Sequence, residues 1–236
     1  MTTEVTYYPA PESLFQAAAA YIIKLINRKK DNPFTIALSG GSTPAGLYKK
    51  IAELNTRQHT DWNNVHFFWS DERFVPHHHR QSNYQTAALY LFPSLNLPAA
   101  NIHPIPVNCP TPAACAENYH NEIITFFNER PVFDLILLGI GHDGHTASLF
   151  PGDRAGTASL VKAVSRPKVK PQVARITMTY DLLQQAHTIL FLVTGKTKKT
   201  VTEKIISQGL KTAHLYPAAA VKAGKKIKWM ITYNNE

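Results

Sequence analysis

The sequence has few cysteines, few acidic residues and no long apolar run. Its two cysteines, Cys109 and Cys115, lack Cys-x-x-Cys spacing, so we expect neither a disulfide framework nor a zinc site. No apolar stretch approaches the roughly 18–20 residues that span a bilayer. Residues 1–6 show neither the basic start nor the apolar segment of a signal peptide. These absences predict a cytoplasmic protein without a membrane partner.

Acidic residues number 16 against 25 lysines and arginines, a formal net charge of +9. A basic protein can bind nucleic acid, but these lysines are spread along the chain. No helix-turn-helix, zinc-finger or RNA-recognition signature accompanies them, so we predict no nucleic-acid partner. Attraction of a small anionic substrate accounts for part of the excess charge. With 44% hydrophobic residues, the 236-residue chain is expected to form one domain over residues 1–236.

Short apolar runs alternate with amphipathic stretches along the chain. The predicted strands are Phe34–Leu38, Val65–Trp69 and residues 134–138, 173–179, 188–193 and 228–232. The predicted helices are Pro11–Arg28 and residues 44–54 and 112–128. Thr43 and Thr111 precede the last two helices as expected N-caps, each followed by a proline. The alternation predicts a single Rossmann-like, three-layer α/β domain with a mostly parallel central sheet and helices on both faces.

Four polar or glycine-rich segments directly follow predicted strands, namely residues 39–44, 70–73, 139–145 and 194–199. Parallel strands place their carboxyl ends along one edge of the sheet, where open α/β folds bind ligands. We therefore expect these four segments, although distant in sequence, to meet in one crevice.

The first of these segments has the composition of a phosphate-binding loop. The residues predicted to bind phosphate there are Ser39, Gly40, Gly41, Ser42 and Thr43. Two glycines expose backbone N–H groups, three hydroxyls surround them, and a helix N-terminus follows. Gly41 and Gly46 match the outer spacing of a P-loop, but Leu47 and Tyr48 replace its lysine and hydroxyl residue, so no nucleoside triphosphate site is predicted. The alternative is a tight turn capped by Thr43.

The third segment continues a buried strand into a glycine-rich loop. Gly139, Gly141 and Gly144 allow sharp turns and close approach to a ligand. They also match G-x-G-x-x-G, but residues 151–152 are Pro-Gly and residues 159–166 contain no acid. A dinucleotide site needs a long helix and an acidic residue at those places, so none is predicted.

The same loop contains His142, Asp143 and His145. A neutral imidazole suits the activation of water, which makes His145 the candidate base; a structural histidine is the alternative. The three side chains lack the spacing of a zinc protease and a clear further ligand, so no metal is predicted. The run of histidines at residues 77–79 is interpreted as a solvated loop.

Cations are expected at two further places. Lys196, Lys198 and Lys199 lie where a helix begins, and cations there oppose the helix dipole unless an anion is bound. Lys198 is therefore a candidate phosphate ligand, with a solvated cluster as the alternative. Arg175 is either a bidentate phosphate ligand or a surface arginine at a strand end.

These motifs together resemble the 6-phosphogluconolactonase family. The matching segments are residues 38–44, 69–76, 82–84, 139–152, 175–179 and 194–198, in family order. The resemblance implies a Rossmann-like fold shared with glucosamine-6-phosphate deaminases. It also implies cofactor-free hydrolysis of 6-phospho-D-glucono-1,5-lactone to 6-phosphogluconate, the second step of the oxidative pentose phosphate pathway. The expected partner is a phosphorylated sugar lactone, and the expected state a monomer or weak homodimer.

The deaminase pattern differs at two positions. It places a catalytic glutamate five residues after the histidine, where this chain has Phe150, and a tyrosine where this chain has Arg73. The lactonase resemblance is therefore favoured. A sugar-phosphate-binding protein without catalysis is the non-enzyme alternative, which the presence of His145, Asp143 and Arg73 disfavours.

The lactonase reaction needs a positioned water, a base and stabilisation of an oxyanion. We expect His145 to take the proton from water, with Asp143 orienting the imidazole or binding a sugar hydroxyl. Arg73 and glycine-loop N–H groups such as that of Gly141 are expected at the carbonyl oxygen, with Arg73 alternatively at the phosphate. Arg175, Lys198 and the loop of residues 39–43 are expected to hold the phosphate.

Overall fold

The centre of the fold is a six-stranded parallel sheet, seen in a computed structural model. The model describes residues 2–29, 32–57, 60–153, 159–165 and 170–234. In chain order the strands are β1 (Thr2–Tyr7), β2 (Phe34–Leu38), β3 (Val65–Trp69), β4 (Asp71–Arg73), β5 (Leu135–Leu138), β6 (Val161–Val164), β7 (Arg175–Met178), β8 (Thr188–Thr194) and β9 (Lys226–Thr232). The helices are α1 (Pro11–Arg28), α2 (Ser42–Asn55), α3 (Asn83–Tyr90), α4 (Pro112–Phe127), α5 (Tyr180–Leu183), α6 (Lys199–Gln208) and α7 (Pro217–Ala220).

The strand order in the central sheet is β1-β9-β8-β5-β2-β3, and each neighbouring pair is parallel. Every residue of β2, β5 and β8 is buried, which is typical of strands covered on both faces. From β2 the chain passes to β3 on one side and then to β5 on the other. The crevice between the ends of β2 and β5 is therefore the topological switch point at which such folds bind ligands. The predicted α/β class with a mostly parallel sheet is confirmed.

Two predicted helices keep their predicted starts. Helix α1 covers the predicted range and packs on α2 and β9 through a buried stripe that includes Leu14 and Ile22. Helix α4 begins after Thr111, whose hydroxyl accepts a hydrogen bond from the Ala114 N–H at 3.1 Å. That bond satisfies one of the amides that the first turn leaves open.

Helix α2 starts two residues earlier than predicted. Its N-cap is Gly41, at φ 104°, and not Thr43. The Thr43 hydroxyl instead lies 2.6 Å from the Thr194 hydroxyl at the end of β8. The N-cap prediction was wrong because a glycine that adopts a positive φ lets the chain enter the helix before the threonine. As a glycine, Gly41 has no side chain with which to cap this first turn.

A second, three-stranded antiparallel sheet has the order β4-β7-β6. Residues 71–73 were expected in a loop but form β4, which pairs with β7 in the register Asp71↔Thr177 and Arg73↔Arg175. The predicted strand at residues 173–179 exists as β7 but belongs to this small sheet. A three-residue strand is too short to show alternation, and its partner is about one hundred residues away in sequence.

The two cysteines form a disulfide, contrary to expectation. The Cα atoms of Cys109 and Cys115 are 5.4 Å apart at the turn that leads into α4, within the range that a disulfide requires. Sequence spacing does not reveal this proximity, because the intervening turn creates it. Separately, no helix in the described part of the chain is long and apolar enough to cross a membrane.

Candidate functional site

A cavity of about 180 Å³ lies at the switch point between β2 and β5. The predicted site residues that line it are Ser39, Gly40, Gly41, Ser42, Thr43, Arg73, Gly141, His145, Arg175 and Lys198. Asp143 is not part of the lining but contacts His145. The expectation that four distant segments meet in one crevice is met, because each of them contributes to the wall. The chemical roles assigned to these residues stay predictions.

His145 and Asp143 form a hydrogen-bonded pair. The imidazole Nδ1 and the carboxylate Oδ1 are 2.5 Å apart, and the His145 backbone N–H also donates to that oxygen at 3.2 Å. Burial raises the pKa of Asp143, but hydrogen bonds from His145 and attraction to its ring outweigh burial and lower the pKa to about 2. An ionised carboxylate only accepts, so Nδ1 carries the hydrogen and a neutral imidazole has its lone pair on Nε2.

Gly141 leaves room for this pair. A Cβ atom at Gly141 would lie 2.1 Å from Nδ1 of His145 and 2.7 Å from Oδ1 of Asp143. Its backbone N–H donates to the His145 carbonyl at 2.9 Å, which closes the loop. Because that N–H already has an acceptor, Gly141 is better suited to making space for the pair than to donating to a substrate oxygen.

The loop between β2 and α2 forms a surface whose backbone geometry is suited to an anion. The Tyr48 hydroxyl holds the loop at its start, donating to the Ser39 carbonyl at 2.6 Å and accepting from the Ser39 N–H at 3.2 Å. Gly40, Gly41 and Ser42 then line the cavity ahead of the first turn of α2. Amides at such a helix start favour an anion.

Two guanidinium groups approach the cavity from the small sheet. Arg175 is 3% exposed, so it is not a surface arginine at a strand end. Burial lowers the pKa of Arg175, Asp71 opposes that effect, and Arg73 adds to it. Among the described residues, the buried Nε atoms of both arginines lack a hydrogen-bond partner. Lys198 completes a cationic side of the cavity, which matches a phosphorylated ligand.

Asp71 and Asn83 line the cavity but were missing from the predicted site. Asp71 is buried and accepts from Ser148 Oγ at 2.6 Å and from Asn83 Nδ2 at 3.0 Å. The Asn83 Oδ1 in turn accepts from Nη1 of Arg73. Both belong to segments that carried the family resemblance, 69–76 and 82–84. That resemblance was the available signal, because an isolated asparagine has no spacing that marks it as functional.

Phe150 lies beside the candidate base. Its ring centroid is 4.9 Å from that of His145, and the Arg175 guanidinium is 5.6 Å from the Phe150 ring centre. The position at which the deaminase pattern has a glutamate is therefore next to the imidazole here, and it is apolar. No carboxylate reaches the imidazole from this position.

The histidine run at residues 77–79 does not line the cavity. His77 Nε2 lies 2.9 Å from the Ile105 carbonyl, and its ring is 4.6 Å from that of Tyr84, so this part of the histidine run is half-buried. His78 is exposed, as predicted for a solvated loop. Within the described residues, no group of three or more histidine, cysteine or acidic side chains is arranged to hold a metal ion.

The known proteins that this chain resembles include lactonases and a deaminase. The curated 6-phosphogluconolactonase of Synechocystis sp. is 39% identical over 202 residues, covering 84% of this chain and 81% of that protein. The crystal structure of 6-phosphogluconolactonase from Thermotoga maritima gives a TM-score of 0.84 at 31% identity, covering 99% of this chain and 100% of that one. A monomeric glucosamine-6-phosphate deaminase shares the fold, with a TM-score of 0.81 at 20% identity over 96% and 97% of the two chains.

The family model described as glucosamine-6-phosphate isomerases/6-phosphogluconolactonase matches residues 9–229. This match confirms the resemblance inferred from the motifs. The chain belongs to the glucosamine-6-phosphate isomerase/6-phosphogluconolactonase family.

Proposed function

We propose that this protein hydrolyses 6-phospho-D-glucono-1,5-lactone to 6-phosphogluconate, the second step of the oxidative pentose phosphate pathway. The observation that carries the proposal is the His145–Asp143 pair at the wall of a cavity with a cationic side. A base beside an anion-binding surface fits a phosphorylated ester better than a neutral one. The similarity to 6-phosphogluconolactonases over most of the chain supports the same reaction.

In the proposed mechanism, Nε2 of His145 takes a proton from a water molecule as the water oxygen bonds to C1 of the lactone. Asp143 holds the other ring nitrogen and stabilises the imidazolium that results. The tetrahedral intermediate then breaks its C1–O5 bond, and O5 takes the proton from Nε2. The new carboxylic acid ionises and releases one proton to solvent. Arg73 stabilises either the developing oxyanion or the phosphate.

The phosphate is proposed to sit between the start of α2 and the two side chains Arg175 and Lys198, which line the same cavity. Helix amides, a guanidinium and an ammonium together suit a dianion. No step in this scheme draws on a cofactor. The protein is further proposed to act in the cytoplasm as a single-domain monomer or weak homodimer without a nucleic-acid partner.

The deciding experiment follows proton release from freshly prepared 6-phosphogluconolactone at mildly acidic pH, where spontaneous opening is slow. Ammonia release from glucosamine-6-phosphate is measured in parallel. We expect lactone opening far above background, with kcat about 10²–10⁴-fold lower in His145→Ala. Near-normal turnover in a folded His145→Ala protein would remove the base assignment. Ammonia release with a flat lactone trace would indicate deaminase chemistry, and binding without either reaction would indicate a non-catalytic protein.

The phosphate site has a separate test. Arg175→Ala and Lys198→Ala are each expected to raise KM for the phosphorylated lactone, because each removes a cation from the cavity wall. Gluconolactone without the phosphate serves as the control substrate and should show little change. Unaltered KM for the phosphorylated lactone in both variants would mean that the phosphate binds elsewhere.

A further inference from the structure

We propose that Glu72 and Asn83 are positioning residues, which together hold Arg73 and Asp71 in the geometry that the reaction requires. Neither residue was among the predicted site residues, and the Glu72 carboxylate does not line the cavity. The inference rests on the proposed lactonase function. It adds to that function a buried hydrogen-bond network that connects β4 to the start of α3.

Glu72 is 1% exposed, yet its carboxylate accepts four hydrogen bonds. Oε1 accepts from the backbone N–H groups of Arg73 and Asn83, both at 2.7 Å. Oε2 accepts from the Tyr84 N–H at 2.7 Å and from the Ser82 hydroxyl at 2.9 Å. Three of the four donors belong to the turn that starts α3. The carboxylate therefore fixes this turn relative to the strand that carries Arg73.

Asn83 connects this turn to two residues that line the cavity. Its Nδ2 donates to the Asp71 carbonyl at 2.8 Å and to the Asp71 carboxylate at 3.0 Å, and its Oδ1 accepts from Arg73 Nη1. A Cβ atom at Gly40 would lie 1.6 Å from Asn83 Oδ1, so the amide also packs against the loop before α2. One buried amide thus contacts a cation, an anion and the candidate phosphate loop.

The network depends on the chemistry of its members and not only on their shape. Three of the four partners of Glu72 are backbone N–H groups, which can only donate, and the fourth is the Ser82 hydroxyl; a carboxylate accepts from all four. In Glu72→Gln the side-chain NH₂ would face at least one backbone N–H, so at least one of the four bonds would be lost and replaced by donor–donor repulsion. Arg73 would keep its bond from Nη1 to the Gln81 carbonyl at 3.0 Å but lose its alignment with Asn83. Misplacement by about 1 Å can cost on the order of 10²-fold in rate.

A purely structural role would give a different pattern, and the chain offers a matched control. Asp134 lies before β5, at the opposite end of the strands from the cavity. Its carboxylate accepts from the Thr35 N–H at 2.8 Å, the Thr35 hydroxyl at 3.1 Å and the Lys29 ammonium at 2.6 Å. Asp134→Asn removes a comparably bonded carboxylate that has no contact with the cavity lining.

The test compares Asn83→Leu, Glu72→Gln and Asp134→Asn, each also combined with Arg73→Lys, by steady-state kinetics on 6-phosphogluconolactone. We expect Asn83→Leu and Glu72→Gln to lower kcat about 10–100-fold. In the Arg73→Lys background the same changes should have a several-fold smaller effect on kcat, since the effects of substitutions at coupled residues are not additive. Asp134→Asn should change stability while leaving kcat within about two-fold of the wild type.

Equal effects of Asn83→Leu in both backgrounds, or normal kcat in a folded Asn83→Leu protein, would overturn the positioning role. Should Glu72→Gln fail to fold, Asn83→Leu alone still decides. The dissociation constant for 6-phosphogluconate, measured by calorimetry in the same variants, separates the two proposals. A wild type that binds 6-phosphogluconate but does not hydrolyse the lactone would refute the lactonase function, and non-additive binding in the Asn83→Leu and Arg73→Lys cycle would still support the positioning role.

Discussion

Among individual side chains, Asp143 shows how a contact at the proposed catalytic site also affects folding. Its pKa is held at about 2, below the usual value of 3.8, because the hydrogen bonds and charge of His145 outweigh burial. A carboxylate with a depressed pKa in the folded state stabilises that state above its unfolded pKa. The stabilisation is lost as the pH falls from about 3.8 towards 2.

This linkage predicts how Asp143→Asn changes stability with pH. We expect the wild type to exceed the variant in free energy of unfolding at about pH 5, because the carboxylate is then ionised in both states. The difference should shrink below about pH 4. Urea unfolding of both proteins between pH 3 and 7 measures it. A difference that grows on acidification would contradict the assigned ionised pair.

At the scale of loops and helices, the glycine-rich loop after β5 leads to a prediction about kcat. Gly141→Ala should lower kcat by at least about ten-fold, because its Cβ would enter the space of both His145 and Asp143. Gly139→Ala is the comparison in the same loop, since a Cβ there meets no protein atom within 4 Å, although Gly139 also lines the cavity. Melting temperature and kcat are measured for both variants. Equal loss in the two proteins would show that the loop tolerates no side chain, and not that Gly141 serves the pair.

The same scale shows what the sequence could and could not predict. Strands β2 and β3 and helix α1 have their predicted bounds, because continuous apolar runs and a 3.6-residue stripe are local signals. Their alternation also predicts the edge at which the cavity lies. Strands β1, β4 and β6 were missed, since short or polar strands are defined by their partners and not by their own composition.

Only part of the candidate site could be predicted from the sequence. Residue type and neighbouring glycines mark His145, Asp143 and the loop of residues 39–43 as candidates. Glu72 and Asn83 have no such mark, because their importance comes from hydrogen bonds that exist only after β4 and α3 are brought together. A sequence pattern carries the first kind of information, whereas only tertiary contacts carry the second.

For the whole molecule, the disulfide gives a prediction about stability. Closing the short loop between Cys109 and Cys115 contributes about 2 kcal/mol in the chain-entropy description. For a chain of this size, reduction should therefore lower the Tm by about 4–8 °C. Lactonase turnover should persist, because neither cysteine lines the cavity.

Calorimetry with and without a thiol reductant provides the measurement. Cys109→Ala is the control variant, and its Tm should not respond to the reductant. If the Tm of the oxidised wild type is the same in both buffers, the bond contributes nothing to stability. A reducing compartment would favour the thiol form, so the state of this pair also bears on where the protein works.

One of the two edge strands of the central sheet, β1, has a consequence for biosynthesis. β1 pairs with β9 in the register Thr2↔Lys226, so β1 leaves a ribosome well before its neighbour in the sheet. At about 5–20 residues per second, some 220 residues of translation leave β1 waiting for roughly 10–45 s. An apolar strand would risk association with other nascent chains during that interval. The polar composition of Thr2–Tyr7 lowers this risk of association before β9 is made. The same composition explains why the apolar pattern of the sequence did not predict this strand.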